Sequence, residues 1–284
     1  MSITEKHIEV KDYLTKSNLP ANDYVINPYI GCPHACKYCY ACFMKRFTGH
    51  NNEPWGSFID IKHCDKPINA KLITGRTVFL SSVTDCYNQL EENHGITRKI
   101  LEQLVFIDCE LGISTKSKLI LRDIDLLKQC KNLKVSMSIN TLDENFKNDM
   151  DNASSIADRL STLNELHSAG IHTVLFMSPI FPEITDFKAI IEKTHSYIDE
   201  YWFENLNLRG GYKQTILAYI DEKYPQLSPL YENIFIKKGK EYWVGLAAEI
   251  DDYCNANNVS YINYFYHNEL VKAKLARQKE QRLK

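Results

Sequence analysis

Three cysteines stand close together near the start of the chain, at Cys32, Cys36 and Cys39. The spacing Cys-x-x-x-Cys-x-x-Cys places three thiolates on one tight loop after an expected strand, and thiolates are the usual protein ligands of iron–sulfur clusters. Three protein ligands leave one iron of a cubane cluster open, and an open position allows a metal centre to bind a reactant. The spacing therefore predicts a [4Fe–4S] cluster with one reactive iron.

The same thiols also suit a structural zinc site, with His34 or Cys42 as the fourth ligand. Structural zinc sites usually take a second pair of ligands from elsewhere in the chain. The sequence has no Cys-x-x-Cys pair outside this stretch, and its remaining cysteines are scattered. Spacing alone favours the cluster, and a zinc-stabilised interaction module without enzymatic activity remains the alternative.

Composition limits the class of protein further. The chain has 284 residues with 34 Lys+Arg against 36 Asp+Glu, which gives a net charge of −2 and no overall field that attracts a polyanion. No stretch approaches the roughly 18 consecutive apolar residues of a spanning helix, and the first residues lack the apolar core of a signal peptide. We therefore expect a cytoplasmic protein that does not enter a membrane.

Short strand-like runs alternate with amphipathic helical patterns. This alternation predicts an α/β fold of βαβ units with right-handed crossovers and a parallel sheet. Six such units are too few to close an eight-stranded barrel, so we expect an open one. The expected strands span residues 24–29, 77–83, 111–115, 134–139, 172–177 and 202–208. The expected helices span residues 96–108, 119–130, 154–169 and 185–201.

Three segments follow from this pattern. Residues 1–23 form a lead segment, residues 24–210 the barrel core, and residues 211–284 an α/β extension packed on the core. The extension is expected to contain mainly helices, a last strand over residues 260–265 and a charged helix over residues 268–284.

The cysteine loop resembles that of the radical S-adenosylmethionine (radical SAM) superfamily, in which an aromatic residue precedes the last cysteine, here Tyr38. Within this superfamily the chain is similar to the branch that contains spore photoproduct lyase. The motifs that carry this similarity are Tyr40 after the triad, Thr84-Asp85, Thr115-Lys116-Ser117, Ser138-Ile139-Asn140 and Ser178-Pro179-Ile180. The chain also resembles the radical SAM mobile pair proteins, a name that describes a gene beside a second radical SAM gene.

The resemblance implies a partial (β/α)6 radical SAM barrel with a C-terminal helical extension, whose site lies at the C-terminal ends of the strands. It also implies two cofactors, a [4Fe–4S] cluster on the three cysteines and S-adenosylmethionine. Cleavage of the latter would give a 5′-deoxyadenosyl radical for hydrogen abstraction from an unidentified peptide, protein or small molecule. Lys116 would pair with the carboxylate of S-adenosylmethionine. The other residues expected to bind cofactor are Tyr38, Thr84, Asp85, Ser138 and Ser178.

The resemblance is weaker for the residues that would relay the radical. Tyr40 matches a tyrosine implicated in radical relay in spore photoproduct lyase. That enzyme has a hydrogen-donor cysteine two residues before its Ser-Asp pair, where this chain has Ser82; Cys86 is the candidate substitute. A DNA-lesion lyase is therefore kept as an alternative function. Expected partners are an electron donor such as flavodoxin or ferredoxin, and a second radical SAM protein encoded alongside.

Overall fold

The computed structural model describes residues 3–19 and 21–265, and the expected charged helix over residues 268–284 lies outside these residues. The described strands are β1 (Thr4–Glu9), β2 (Leu14–Lys16), β3 (Tyr24–Ile26), β4 (Tyr29–Ile30), β5 (Phe58–His63), β6 (Thr77–Leu80), β7 (Glu110–Thr115), β8 (Asn132–Ser138), β9 (His172–Ile180), β10 (Glu200–Asn205) and β11 (Tyr261–Asn263).

The described α-helices are α1 (Ala70–Ile73), α2 (Glu91–His94), α3 (Ile96–Leu104), α4 (Ile124–Leu127), α5 (Glu144–Met150), α6 (Ile156–Ser168), α7 (Phe187–Thr194), α8 (Tyr212–Lys223), α9 (Ser228–Phe235) and α10 (Glu241–Ala256). Three 3-10 helices span Tyr40–Phe47, Lys118–Asp123 and Pro225–Leu227.

The main sheet has the strand order β11-β10-β9-β8-β7-β6-β3-β2. All neighbouring pairs from β11 to β3 are parallel, and only β2 runs antiparallel at the edge. Within the described residues the edge strands β2 and β11 do not pair with each other, so the barrel is open. This confirms the expected partial barrel, and β11 lies within the last strand expected over residues 260–265 and joins the sheet in parallel.

A second, three-stranded sheet has the order β1-β5-β4, and the sequence analysis did not predict it. β1 pairs with β5 in parallel, and β4 pairs with β5 in antiparallel orientation. The expected strand over residues 24–29 is divided between the two sheets. The division falls at Asn27-Pro28, where proline has no N–H to donate to a strand ladder.

Several helices are shorter than expected. The helix predicted over residues 185–201 ends at Thr194, because β10 already begins at Glu200. The helix predicted over residues 119–130 begins as a 3-10 helix, where the Ser117 hydroxyl accepts a hydrogen bond from the Leu119 N–H at 3.2 Å.

The hydrophobic core holds the parallel strands against the helices. Strand side chains such as Ile113, Val135 and Leu175 are fully buried, as expected for a sheet covered on a face by crossover helices. The division into three segments stays a prediction. β1 and β2 of the lead segment, and β11 of the extension, all pair with strands of the core segment.

The concave side of the open barrel encloses a cavity of about 1280 Å³. Residues from six neighbouring strands line it, namely Phe79, Gly112, Ser138, Phe176, Trp202 and Ile262. The cysteine loop and the residues that follow the C-terminal ends of the strands cover one end of this cavity.

Candidate functional site

The cysteine loop follows β4 and packs tightly on the chain that enters β5. Gly31 has a φ of +92°, and a Cβ there would lie 2.4 Å from the Phe58 carbonyl oxygen. Gly56 has a φ of +98°, and a Cβ there would lie 2.5 Å from the Ala35 Cβ. Only glycine allows both close approaches at these backbone conformations, so the two glycines fix the course of the loop.

The three loop thiols all face the cavity. Cys32 is buried, whereas Cys36 and Cys39 are partly exposed, and all three are free of disulfide bonds. Burial raises the pKa of each thiol, and the positive charge of Lys116 opposes this effect at Cys36 and Cys39. Thiol ligands bind a metal as thiolates, so metal binding would release the protons that burial keeps on these sulfur atoms.

Lys116 directly follows β7 and lines the same cavity. Its ammonium lies 5.6 Å from the centre of the Tyr38 ring. Burial lowers the pKa of Lys116, and negative charge at Cys36 and Asp151 opposes this shift. Among the described residues no carboxylate oxygen lies within 4.0 Å of the ammonium, because Asp151 is held by Arg159 and Lys147 instead.

Asp85 connects the cysteine loop to the end of β7. Its carboxylate lies 3.1 Å from His34 Nε2 and accepts hydrogen bonds from the Thr115 hydroxyl at 2.8 Å and the Lys116 N–H at 2.8 Å. It also accepts from the Tyr87 N–H at 2.9 Å. Burial raises the pKa of Asp85, but His34 and these donors outweigh burial and hold the pKa below its ordinary value. Asp85 lines the cavity, yet these four contacts go to protein groups.

A buried ion pair that the sequence analysis missed supports Tyr38. The Tyr38 hydroxyl donates to Asp151 at 3.2 Å, and Asp151 pairs with Arg159 at 2.6 Å. Arg159 also donates to the Ser138 carbonyl oxygen at 3.1 Å, so the pair joins the cysteine loop to the end of β8. One sequence signal was present, because Arg159 occupies a core-facing position of the amphipathic helix α6.

The three hydroxyl residues expected to bind cofactor all line the cavity, in different hydrogen-bonding states. Thr84 donates to the Gly31 carbonyl oxygen at 2.7 Å and so also fixes the cysteine loop. Ser178 donates to the Glu204 carboxylate at 2.6 Å. Ser138 is buried at the C-terminal end of β8. Glu204 was not predicted, although it stands in an expected strand.

The two candidate radical-relay residues differ in their position. Tyr40 lines the cavity and its hydroxyl donates to the Ser82 carbonyl oxygen. Cys86 is fully buried and does not contribute to the cavity wall. Ser82 does line the cavity and accepts a hydrogen bond from Asn27 at 2.9 Å.

The three thiols suit a cubane cluster, because such a cluster can bind each thiolate at a different iron. Within the described part of the chain, no three side chains of His, Cys, Asp or Glu converge as ligands of one metal ion. His34, a possible fourth zinc ligand, is already held by Asp85.

Comparisons with known proteins identify the family of this chain. Residues 26–193 match the sequence pattern of the radical SAM superfamily. The chain is 37% identical over 230 residues to an uncharacterized protein of Methanocaldococcus jannaschii, a match that covers 80% of this chain and 86% of that protein. It is also 30% identical over 223 residues to an uncharacterized protein of Acidianus two-tailed virus, covering 72% of this chain and 73% of the relative. The chain belongs to the radical SAM superfamily.

Solved structures with the same fold include spore photoproduct lyase complexed with dinucleoside spore photoproduct, with a TM-score of 0.55 and 17% identity. That match covers 78% of this chain and 66% of the lyase chain. Streptococcus suis SuiB bound to S-adenosylmethionine matches with a TM-score of 0.51 and 15% identity, covering 84% of this chain and 49% of SuiB. A mutant of the lyase with bound AdoMet and a structure of SuiB bound to precursor peptide SuiA also match.

Members of the radical SAM superfamily typically bind a [4Fe–4S] cluster and S-adenosylmethionine, and membership implies an enzyme. No helix in the described part of the chain has the length and apolar character that crossing a membrane requires.

Proposed function

We propose that this chain binds a [4Fe–4S] cluster through Cys32, Cys36 and Cys39 and uses it to cleave S-adenosylmethionine reductively. The observation that carries the proposal is the juxtaposition of three free thiols with an ammonium group, that of Lys116, in one cavity. Thiolates suit iron, and an ammonium without a close carboxylate suits the carboxylate of an amino acid.

When bound, the two groups supply one chemical step, in which one electron breaks a carbon–sulfur bond to give methionine and a 5′-deoxyadenosyl radical that abstracts hydrogen from substrate. The protein supplies orientation and exclusion of water. Lys116 would hold the cofactor carboxylate, and Ser138 and Ser178 offer hydroxyl groups on the cavity wall. Thr84 and Asp85 are proposed mainly as positioning residues, because their hydrogen bonds fix the cysteine loop and the start of the Lys116 segment.

Tyr38 is proposed as a wall of the cofactor site, since its ring lies beneath the Lys116 ammonium and its hydroxyl is anchored to Asp151. For radical relay we propose Tyr40, because it lines the cavity beside Ser82. Cys86 has less geometric support, because it lies outside the cavity wall.

The substrate is proposed to be a peptide, a protein or a small molecule. The alternative is a DNA lesion, as for spore photoproduct lyase, whose structure contains dinucleoside spore photoproduct. Ser82 argues against the same chemistry, because a serine hydroxyl is a far poorer hydrogen-atom donor than a thiol. Incubation of reduced protein with oligonucleotide that carries spore photoproduct, followed by chromatography of the bases, separates these alternatives.

We further propose that the chain works in the cytoplasm, where free thiols persist, and that a flavodoxin or ferredoxin supplies its electron. A second radical SAM protein is proposed as a further partner.

The test of the proposed function is anaerobic reconstitution with iron and sulfide, reduction with dithionite and analysis of products after addition of S-adenosylmethionine. We expect 5′-deoxyadenosine and methionine from the wild type, at a low rate without substrate. The Cys32→Ala/Cys36→Ala/Cys39→Ala variant should form neither. Equal product from wild type and variant, or none from a fully loaded wild type supplied with lysate as a source of substrate, would contradict the proposal.

A further inference from the structure

The 3-10 helix Tyr40–Phe47 exposes large aromatic side chains immediately after the cysteine loop. The exposed fraction is 57% for Tyr40, 41% for Phe43 and 63% for Phe47. In the described part of the chain, eight large hydrophobic residues are exposed, and three of them stand in this one helix. Single exposed apolar residues are common, but a cluster of them marks a contact surface.

The same segment is cationic. Residues 37–49 contain Lys37, Lys45 and Arg46 and no aspartate or glutamate, although the whole chain has a net charge of −2. The Arg46 guanidinium lies 4.7 Å from the centre of the Phe47 ring and 5.4 Å from that of Phe43. Stacking on these rings holds the guanidinium beside the aromatic groups, and within the described residues it forms no ion pair.

This cationic aromatic face, defined by Phe43, Lys45, Arg46 and Phe47, lies next to the proposed cluster. The helix begins at the residue after Cys39, and Tyr40 and Ala41 line the cavity that contains the three thiols. A protein docked on this face would therefore meet the surface of the molecule close to the cluster ligands. Electron transfer between proteins requires such an approach, because its rate falls steeply with distance.

We propose that this face docks an acidic one-electron carrier protein that reduces the cluster. The inference rests on the proposed function and names the surface through which its electron enters. Positive charge and exposed rings complement a carrier whose cofactor is surrounded by carboxylates, since opposite charges steer association and aromatic groups anchor the contact. In the step, the reduced carrier loses one electron and the oxidised cluster gains it, with no bond formed and no proton moved.

Two other occupants fit the face less well. Single-stranded nucleic acid also binds exposed rings and cations. It needs a charged groove that follows many phosphates, however, whereas this face has two cations, Lys45 and Arg46, in a chain with a net charge of −2. A second copy of the chain would place like charges opposite each other across a two-fold interface.

The experiment compares protein carriers with a small-molecule reductant on the same reconstituted protein. Reduced flavodoxin is the protein carrier in one arm and reduced ferredoxin in a second arm, while dithionite replaces the carrier in a third. The variants are Lys45→Glu/Arg46→Glu and Phe43→Ser/Phe47→Ser. Phe106→Ser is the matched control, because Phe106 is 87% exposed in the segment after α3 and before β7.

We expect both double variants to lose at least tenfold in kcat/KM for flavodoxin- or ferredoxin-driven formation of 5′-deoxyadenosine. Dithionite-driven formation should stay within about twofold of the wild type, as should every rate of Phe106→Ser. Rising salt should slow the carrier-driven reaction of the wild type more than that of Lys45→Glu/Arg46→Glu.

Unchanged carrier-driven rates in both double variants would overturn the docking proposal alone. If those rates are unchanged while binding of an oligodeoxythymidine or self-association in sedimentation is lost, the face serves that occupant and the proposal is likewise overturned. Absence of 5′-deoxyadenosine from the wild type with dithionite would instead overturn the proposed function, and this proposal with it.

Discussion

Nε2 of His34, inside the cysteine loop, lies 3.1 Å from the Oδ2 atom of Asp85, which follows β6. The same oxygen accepts the Lys116 N–H at 2.8 Å. One buried carboxylate therefore holds the loop that carries the proposed cluster ligands and the strand end that carries the proposed cofactor cation. The distance between these two parts of the site depends on Asp85.

Replacement of this carboxylate tests its positioning role. Asp85→Ala leaves buried donors of Thr115, Lys116 and Tyr87 without their acceptor, and each such loss costs about 1–3 kcal/mol. We expect the free energy of unfolding of the metal-free protein to fall by about 3 kcal/mol or more in a denaturant titration. Asp85→Asn retains one carbonyl oxygen and should lose less. A variant Asp85→Ala as stable as the wild type would show that these contacts do not hold the site together.

The Asp151–Arg159 pair predicts a pH dependence of stability. Burial raises the pKa of Asp151, but Lys116 and Arg159 outweigh burial and hold the pKa below its ordinary value. Folding therefore favours the ionised form of Asp151. Its contribution to the free energy of unfolding is complete above about pH 4 and is lost as the pH falls through the folded-state pKa. Asp151→Asn should cost about 3–5 kcal/mol at neutral pH, because it leaves Arg159 buried and unpaired.

Denaturant titrations of metal-free wild type and Asp151→Asn from pH 7 down to pH 3 measure this effect. The difference in unfolding free energy should be constant above about pH 4 and should shrink below it. Asp125→Asn is the control, because Asp125 pairs with Arg98 at the surface and its loss should matter far less. A difference that grows toward acid pH would contradict the assignment.

Gly56 tests the tight packing of the cysteine loop. An alanine Cβ at this position would lie 2.5 Å from the Ala35 Cβ, in addition to the strain of a φ of +98°. Gly75→Ala is the matched control, because Gly75 also has a positive φ, of +66°, but a Cβ there would have no heavy atom within 4 Å. We expect Gly56→Ala to be less stable than Gly75→Ala by at least about 1 kcal/mol and to take up less iron on reconstitution. Equal stability and iron content in the two variants would contradict this packing.

Much of this site was predictable from the sequence because it follows from one topological rule. In a parallel sheet the C-terminal ends of the strands meet at one edge. Residues that follow predicted strands can therefore be expected to lie close together, even when their contacts are not known. The resemblance to the radical SAM superfamily named Thr84, Lys116, Ser138 and Ser178 at or after the ends of predicted strands, and all four line the cavity. Cys86 did not, because position in the sequence near a strand end does not decide which way a side chain points.

Other features depend on pairing between distant parts of the chain and carry little local signal. The side chains of β1 are mostly exposed, so the strand lacks the alternation of buried and exposed residues that identifies strands in a sequence. The Tyr38–Asp151 contact joins residues that are 113 positions apart. Arg159 gave a local signal as a charge on the buried face of α6, but nothing in the sequence identified its partner.

Lys116 is expected to determine the affinity for S-adenosylmethionine. A charge-assisted contact contributes roughly 1.5–3 kcal/mol, so Lys116→Ala should weaken cofactor binding on the order of ten- to a hundredfold. Iron content should not change, because Lys116 is not a ligand. Equilibrium binding of S-adenosylmethionine to the reconstituted protein measures this affinity. Lys118→Ala is the control, since Lys118 is exposed and pairs with Asp158. Equal affinity in wild type and Lys116→Ala would remove Lys116 from the proposed site.

The most direct test of the central claim is electron paramagnetic resonance of reconstituted, dithionite-reduced protein with and without S-adenosylmethionine, together with iron analysis. We predict about four iron per chain and a reduced-cluster signal that changes on addition of the cofactor, because the cofactor binds the iron that has no cysteine. Single Cys→Ser variants at Cys64, Cys109, Cys130 and Cys254 should behave as the wild type, and the triple variant of Cys32, Cys36 and Cys39 should lack the signal. A full signal in the triple variant, or a wild-type cluster whose signal does not respond to S-adenosylmethionine, would contradict the account.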